Sequence, residues 1–210
     1  MSARTMNKGF TLIEVIVILA VISILAAILT PTVLRYISDA QASRAEEDVR
    51  NISAVLNDVI RDTGQFPGSL ADNNFLCGPG SVSATIANGK GWADALTGAV
   101  NTASCAKTGA AGVFTNSLSN HLLANDPNEL GGANEAALDY RTTGKLIWKG
   151  PYVQSVKEDP WGNAYQVNVS TLKGGNTSPT WVISAGPDGI FQTANTDTSL
   201  SGDDIGTRIK

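Results

Sequence analysis

One carboxylate stands alone in a long apolar stretch near the start of the chain. From Phe10 to Leu34 there are 25 residues and a single charged side chain, that of Glu14. A stretch of this length is long enough to cross a bilayer as a helix. A charged side chain inside such a helix is costly and commonly serves a function. Glu14 is therefore expected to need a cation.

The residues before the apolar stretch suggest where that cation comes from. A short leader with Arg4 and Lys8 precedes Gly9, whereas a secretory signal has its small-residue cleavage site after the apolar stretch. Cleavage between Gly9 and Phe10 would retain the stretch and free an amine on Phe10. Within one helix this amine and Glu14 lie one turn apart, which leaves both in lipid. Between subunits the pair would set the register of packed helices, because breaking it in an apolar medium costs roughly 3–5 kcal/mol.

Residues 9–15, with the sequence Gly-Phe-Thr-Leu-Ile-Glu-Val, resemble the processing site of type IV prepilins and of type II secretion pseudopilins. The resemblance implies that a prepilin peptidase cleaves after Gly9 and that Phe10 is then N-methylated. It also implies that Phe10, Glu14 and the helix proline Pro31 take part in assembly. Pro31 lacks an amide hydrogen and should loosen the helix around it. The alternative is a plain membrane anchor in which Glu14 lies near the interface.

The elements that must hold these residues follow from the apolar periodicity. Beyond Pro31, apolar residues recur at a spacing of three to four up to about Arg61, which predicts one long helix. A Gly- and Pro-containing sequence at 63–68 should end it. The predicted segments are a leader at 1–9, a transmembrane or filament-core helix at 10–34, an amphipathic helix continuation at 35–62, a Gly/Ala/Asn-rich helical insert at 63–148 and a C-terminal strand and turn region with an acidic loop at 149–210.

The distal residues predict a small mixed domain. Strand candidates lie at 166–169, where apolar and polar residues alternate, and at 181–183. Residues 159–163 form a turn by composition. The predicted fold class is therefore α+β, with the long N-terminal helix packed on a C-terminal domain that contains a short antiparallel sheet. Possible helices in the insert lie at 91–100, 112–125 and 134–140.

Four short blocks in the C-terminal region resemble the major (G-type) pseudopilins of type II secretion: 150–152, 159–165, 184–189 and 203–205. With the N-terminal motif, the resemblance covers roughly residues 1–66 and 148–206, and the insert is longer than expected for that family. The resemblance implies a subunit of a homo-oligomeric filament that drives protein export. It implies other pseudopilins, an inner-membrane assembly platform and prepilin peptidase as partners. The chain would cross the inner membrane once, with its C-terminal domain in the periplasm.

The acidic loop, residues 188–204, is a candidate ion site. Its aspartates, at 188, 197, 203 and 204, lie among Gly, Ser, Thr and Asn. Calcium prefers about six to eight hard oxygen ligands. The resemblance implies a Ca²⁺ ion that fastens the loop, with Asp188 and one or both of Asp203 and Asp204 as ligands. The spacing is not that of an EF-hand, and the alternative is a solvated turn cluster, because Asp-Gly turns are common.

Cys77 and Cys105 are the only cysteines, and both lie in the insert. Outside the cytoplasm an oxidising compartment permits a disulfide between them. Closing this loop would contribute roughly 3 kcal/mol in the chain-entropy model. The alternative is a pair of free buried thiols.

Composition and motifs argue against several other functions. The net charge is −4 and the basic residues are dispersed, so nucleic-acid binding is not indicated. His121 is the only histidine, and we interpret it as a helix-surface or packing residue. No catalytic residues are predicted, and an enzyme is not expected. The leading hypothesis is a type II secretion pseudopilin, and the alternative is a type IV pilin for adhesion, motility or DNA uptake.

Overall fold

The computed structural model describes residues 10–67, 75–80, 92, 117–126, 139–172 and 177–209. The chain forms two compact units, Met1–Ala40 and Gln41–Lys210. The long helix α1 spans Leu12–Thr63 and contributes to both. The predicted helix end near Arg61 is therefore accurate to within two residues.

In the first unit, α1 carries the predicted apolar stretch. Its large apolar side chains are exposed, and its length and composition would allow it to cross a membrane. Pro31 lies inside the helix, which continues through it. The preceding residue, Thr30, donates its hydroxyl to the Ala26 carbonyl at 2.7 Å. The helix therefore tolerates Pro31, and the predicted local loosening stays a prediction.

In the second unit, α1 buries one face at a spacing of three to four residues, as predicted. The exposed face carries the ion pair between Arg50 and Glu46 at 2.9 Å, and Asp48 at the edge of the buried face pairs with Arg44 at 3.6 Å. Gly64 follows the helix with a φ of +67° and donates its N–H to the Ile60 carbonyl, as expected for a glycine that ends a helix. The buried apolar residues of α1 are Ala45, Val49, Ile52, Leu56 and Val59.

The described strands form one antiparallel sheet of four in the order β1-β2-β3-β4. In the register of the sheet, Val182 lies between Val167 and Thr207. Val167 and Val182 belong to the core cluster that includes the buried face of α1. Ile183 points to the other face and joins a second, aromatic cluster. The strands are β1 (Leu76–Cys77), β2 (Gln166–Val167), β3 (Trp181–Ser184) and β4 (Ile205–Arg208).

The sheet confirms the α+β prediction and corrects some details. Both faces are covered, so β2 and β3 are buried at every position. Of the strand predicted at 166–169, Gln166–Val167 is a strand. Residues Val169–Leu172 form a 3₁₀ helix. Of the helix predicted at 112–125, the described part is a short π-helical turn at Asn120–Ala124. The helix predicted at 91–100 lies outside the described residues apart from Trp92.

Candidate assembly site and acidic loop

The carboxylate of Glu14 is held at the start of α1 by Thr11. The N–H and the hydroxyl of Thr11 both donate to Glu14 Oε2 at 2.8 Å. The N–H of Glu14 lies 3.4 Å from Thr11 Oγ1, so the two residues form a capping box. Thr11 was missed in the sequence analysis, although the Thr-x-x-Glu spacing could have identified it. Gly9 lies outside the described residues, and the Phe10 side chain is 83% exposed.

The block at 150–152 is tied to the end of α1. Lys149 Nζ forms an ion pair with Asp62 Oδ1 at 2.9 Å, and the Tyr152 hydroxyl donates to Asp62 Oδ2 at 3.2 Å. The hydrogen bond from Lys149 holds the pKa of Asp62 below its ordinary value. The peptide bond between Gly150 and Pro151 is cis. These contacts fasten the C-terminal region to the helix.

Two other sequence blocks meet through Asp159, which is buried. Its Oδ1 accepts hydrogen bonds from the N–H groups of Trp161 at 3.0 Å and Asn163 at 2.7 Å. Its Oδ2 accepts from the Ser184 hydroxyl at 2.6 Å. Asn163 Nδ2 in turn donates to the Gly186 carbonyl at 3.2 Å. The blocks at 159–165 and 184–189 are therefore a single hydrogen-bonded unit in which the buried carboxylate is satisfied.

The carboxylates of the acidic loop bind mainly backbone and amide donors. Asp188 accepts from the Ile190 N–H at 2.7 Å and from Gln192 Nε2 at 2.6 Å. Asp204 Oδ2 accepts from the N–H groups of Gln192 at 2.9 Å and Thr193 at 2.6 Å. Burial raises the pKa of Asp204, despite these bonds. Gln192 links Asp188 to Asp204, and the sequence analysis missed it.

The predicted calcium ligands are near one another but are not gathered into one cage. The Asp188 N–H lies 3.4 Å from Asp203 Oδ2. Among the described residues, no group of three or more Asp, Glu, His or Cys side chains is placed to hold a metal ion. Two buried acceptors in this loop, Asp204 Oδ1 and Gln192 Oε1, have no hydrogen-bond partner among the residues that the structure describes. Their chemistry fits a hard cation, and calcium stays a prediction.

Cys77 lies in β1, is buried and is disulfide-bonded. Cys105 lies outside the described residues, so its pairing with Cys77 stays a prediction. His121 is 1% exposed, and its Nδ1 lies 2.7 Å from the Tyr140 hydroxyl. The Trp148 indole N–H donates to the His121 carbonyl at 3.3 Å. His121 is therefore a packing residue, which is one of the two interpretations offered by the sequence, and not a helix-surface residue.

Two family models match separate parts of the chain. Residues 4–30 match the prokaryotic N-terminal methylation motif, and residues 127–203 match protein G of the type II secretion system (T2SS). The first match includes the Gly9–Phe10 junction and Glu14. The second includes Asp159, Ser184 and most of the acidic loop. No solved structure matches the chain significantly.

Curated relatives are fimbrial and secretion proteins. The fimbrial protein EcpC of Eikenella corrodens is 33% identical over 124 residues, which cover 59% of this chain and 79% of EcpC. The type IV major fimbrial protein FimA of Dichelobacter nodosus is 32% identical over 39% of this chain and 57% of its own length. The type II secretion system core protein G of Pseudomonas aeruginosa is 33% identical over 31% of this chain and 46% of its own length.

The extent of these matches differs between relatives. The chain spans little more than half of FimA and less than half of core protein G, whereas it covers more than two thirds of EcpC. The N-terminal motif, the apolar helix and the small antiparallel sheet agree with these matches. The chain belongs to the type IV pilin-like family.

Proposed function

We propose that this chain is a pseudopilin, the structural subunit of a type II secretion pseudopilus that drives protein export. The observation that supports this choice most directly is the protein G match over residues 127–203. That match includes the turn in which Asp159 binds both Trp161 and Ser184. The relatives are named as filament and secretion proteins, and we assign no catalytic role.

Assembly begins with processing in this proposal. Prepilin peptidase cleaves after Gly9, and Phe10 becomes the methylated N-terminus. The exposed apolar side chains of α1 in the first unit require lipid or other helices as neighbours. A neighbouring subunit offers both an apolar surface and the Phe10 amine for Glu14. The proposed partners are copies of this chain, other pseudopilins and an inner-membrane assembly platform.

Charge neutralisation would select the position of each helix in the filament. A lone carboxylate in lipid is unfavourable, so the Glu14 carboxylate favours packing that brings the Phe10 amine of a neighbour close. Apolar contacts alone would leave the helices free to slide, because they lack direction. The subunit would remain anchored in the inner membrane until assembly, with its C-terminal domain in the periplasm.

The second candidate is a type IV pilin for adhesion, motility or DNA uptake. It is favoured by the match to the fimbrial protein EcpC, which covers more of this chain than the match to core protein G. Deleting the gene in its host separates the two functions. The deletion should remove exported proteins from the culture medium and leave surface pili, twitching and DNA uptake intact. Loss of pili with normal export would overturn the pseudopilin proposal and support the pilin.

Complementation makes this experiment specific for assembly. The wild-type gene should restore export to the deletion strain, whereas Glu14→Val should not. A conservative variant on the same exposed helix, Ile16→Val, serves as the matched control and should restore export. If Glu14→Val restored export to the wild-type level, export would not depend on the proposed pairing of Glu14 with the Phe10 amine.

Calcium binding by the acidic loop is part of the same proposal. The residues that would hold the ion are Asp188 with one or both of Asp203 and Asp204. Asp204 Oδ1 and Gln192 Oε1, which have no donor within the described part of the chain, support it, because a buried acceptor without a donor is unfavourable and a hard cation would satisfy it. When bound, calcium would supply positive charge among these acceptors.

A further inference from the structure

Trp92 of the insert packs against the acidic loop. It is only 4% exposed, and its ring stacks on that of Phe191, with centroids 5.1 Å apart and planes inclined by 28°. The ring of Phe75 lies on Trp92 as well, at 5.8 Å. The indole N–H donates to the Thr193 carbonyl at 2.8 Å. One residue of the insert therefore both packs on and hydrogen-bonds with the loop.

Thr193, the acceptor for Trp92, is a central residue of the acidic loop. It is fully buried, and its N–H donates to Asp204 Oδ2 at 2.6 Å. Its hydroxyl accepts from the Ser201 N–H at 2.9 Å. With the bond from Trp92 to its carbonyl, all three polar groups of Thr193 are paired. Thr193 thus joins the middle of the loop to its end. Trp92 holds Thr193 from outside the loop, in addition to the bonds that Trp181 donates to the Asp197 carbonyl and Asn168 to the Asn195 carbonyl.

We propose that Trp92 is a clamp that holds the acidic loop closed on the sheet. Removing the indole would leave the Thr193 carbonyl buried without its donor and would leave a cavity beside Phe191. The remaining large apolar residues of the loop, Ile190 and Leu200, are each 38% exposed and give little alternative packing. Trp92 of the insert is therefore part of the core that supports the acidic loop.

This role concerns the fold of the subunit and applies to a pseudopilin and a pilin alike. It is also independent of the proposed calcium ion, because it depends on the indole ring and the hydrogen bond to Thr193. Trp92 would position the loop that carries Asp188, Asp203 and Asp204. Trp92 lies between the two family matches, so the proposal gives a structural function to a residue that neither match covers.

Hydrogen exchange of the full-length protein in detergent and EDTA tests the proposal. The N–H groups of Gln192 and Thr193 bind the distant carboxylate of Asp204 in the closed loop, so their exchange measures loop opening. Trp92→Ala should accelerate their exchange by about tenfold or more. Trp92→Phe, which keeps a ring but lacks the donor, should give an intermediate acceleration.

A tryptophan elsewhere provides the matched control. Trp148 also donates its indole N–H to a backbone carbonyl, that of His121. Trp148→Phe should leave exchange in the acidic loop unchanged. Exchange of the β3 amides, read in the same experiment, distinguishes loop opening from unfolding of the domain.

Two results would overturn the clamp. One is wild-type exchange of the loop amides in both Trp92 variants. The other is a Trp92→Ala protein in which β3 exchanges as fast as the loop, together with a Trp92→Phe protein whose loop exchange is unchanged. The second result would make Trp92 an ordinary core residue with no particular effect on the loop.

Discussion

Thr11 and Glu14 bind each other reciprocally in the first turn of α1. Both bonds donated by Thr11 fall on Glu14 Oε2, at 2.8 Å each. An ionised carboxylate has about four acceptor positions on its two oxygens. Under the proposed pairing, Oε1 would therefore accept a bond from the Phe10 amine of a neighbouring subunit while Thr11 holds the side chain in place. The capping box would orient the carboxylate before assembly.

Replacing Glu14 by Val should separate membrane insertion from assembly. The monomer should remain inserted and folded, because lipid accommodates Val better than a carboxylate. Filaments should be absent or disordered, since the Phe10 amine loses its partner and the register is no longer selected. Electron microscopy of cells that overexpress the variant measures this, with Ile16→Val as the control. Normal fibres at normal abundance would exclude the pairing mechanism.

Processing should remove residues 1–9. Intact-mass spectrometry of the membrane-extracted protein should give a chain that begins at Phe10 and carries one added methyl group. Gly9→Leu, which places a bulky side chain at the junction, should retain the leader. A wild-type protein that keeps Met1, or one that has lost the whole apolar stretch, would contradict the proposed site.

The parts of the fold that depend on local pattern could be predicted from the sequence. The buried face of α1 follows from its three-to-four spacing, and the apolar run at 181–183 predicts the strand that is found at Trp181–Ser184. The two-residue strand β1 has no periodicity, and its pairings with β2 and, at Cys77, with Ser117 define it. β4 contains Gly206 and does not alternate in hydrophobicity. It forms because β3 offers four matching positions.

The contacts of the acidic loop could not be predicted from local sequence patterns either. Trp92 and Thr193 are 101 residues apart in sequence, and no local signal relates them. Gln192 has an ordinary polar side chain, and its importance lies in its contacts with Asp188 and Asp204. By contrast, Thr11 and Glu14 are three residues apart, so helix geometry alone brings them together.

The ion pair between Asp62 and Lys149 should add a pH-dependent contribution to stability. Because the folded state lowers the pKa of Asp62 below its ordinary value of 3.8, the contribution is present above that value and is lost as the pH falls through the folded pKa. Thermal unfolding of the full chain in detergent, followed by circular dichroism from about pH 5 to pH 2, measures the loss.

The control for this measurement is Asp62→Asn, which keeps the shape of the side chain but does not titrate. The melting temperature of the wild type should fall further across the acidic range than that of the variant. The difference should be small, because Lys149 is 57% exposed and exposed ion pairs contribute little. Equal pH profiles for the two proteins would show that the ion pair makes no net contribution.

Calcium should stabilise the folded chain if the acidic loop binds it. A ligand that binds only the folded state stabilises it by about 2.7 kcal/mol at a hundredfold excess over its Kd. The melting temperature of the full chain in detergent should therefore be higher in millimolar CaCl₂ than in EDTA. MgCl₂ should raise it less, because Mg²⁺ requires near-octahedral geometry and releases water reluctantly.

Two aspartate variants assign the calcium effect to the loop. Asp188→Ala should remove the calcium-dependent shift, whereas Asp58→Ala, on α1 beside Arg61, should retain it. The comparison uses the shift between CaCl₂ and EDTA, because Asp188 also binds Ile190 and Gln192 and its loss could lower the melting temperature by itself. Identical melting of the wild type in CaCl₂ and EDTA would mean that these carboxylates act only as hydrogen-bond acceptors for the loop.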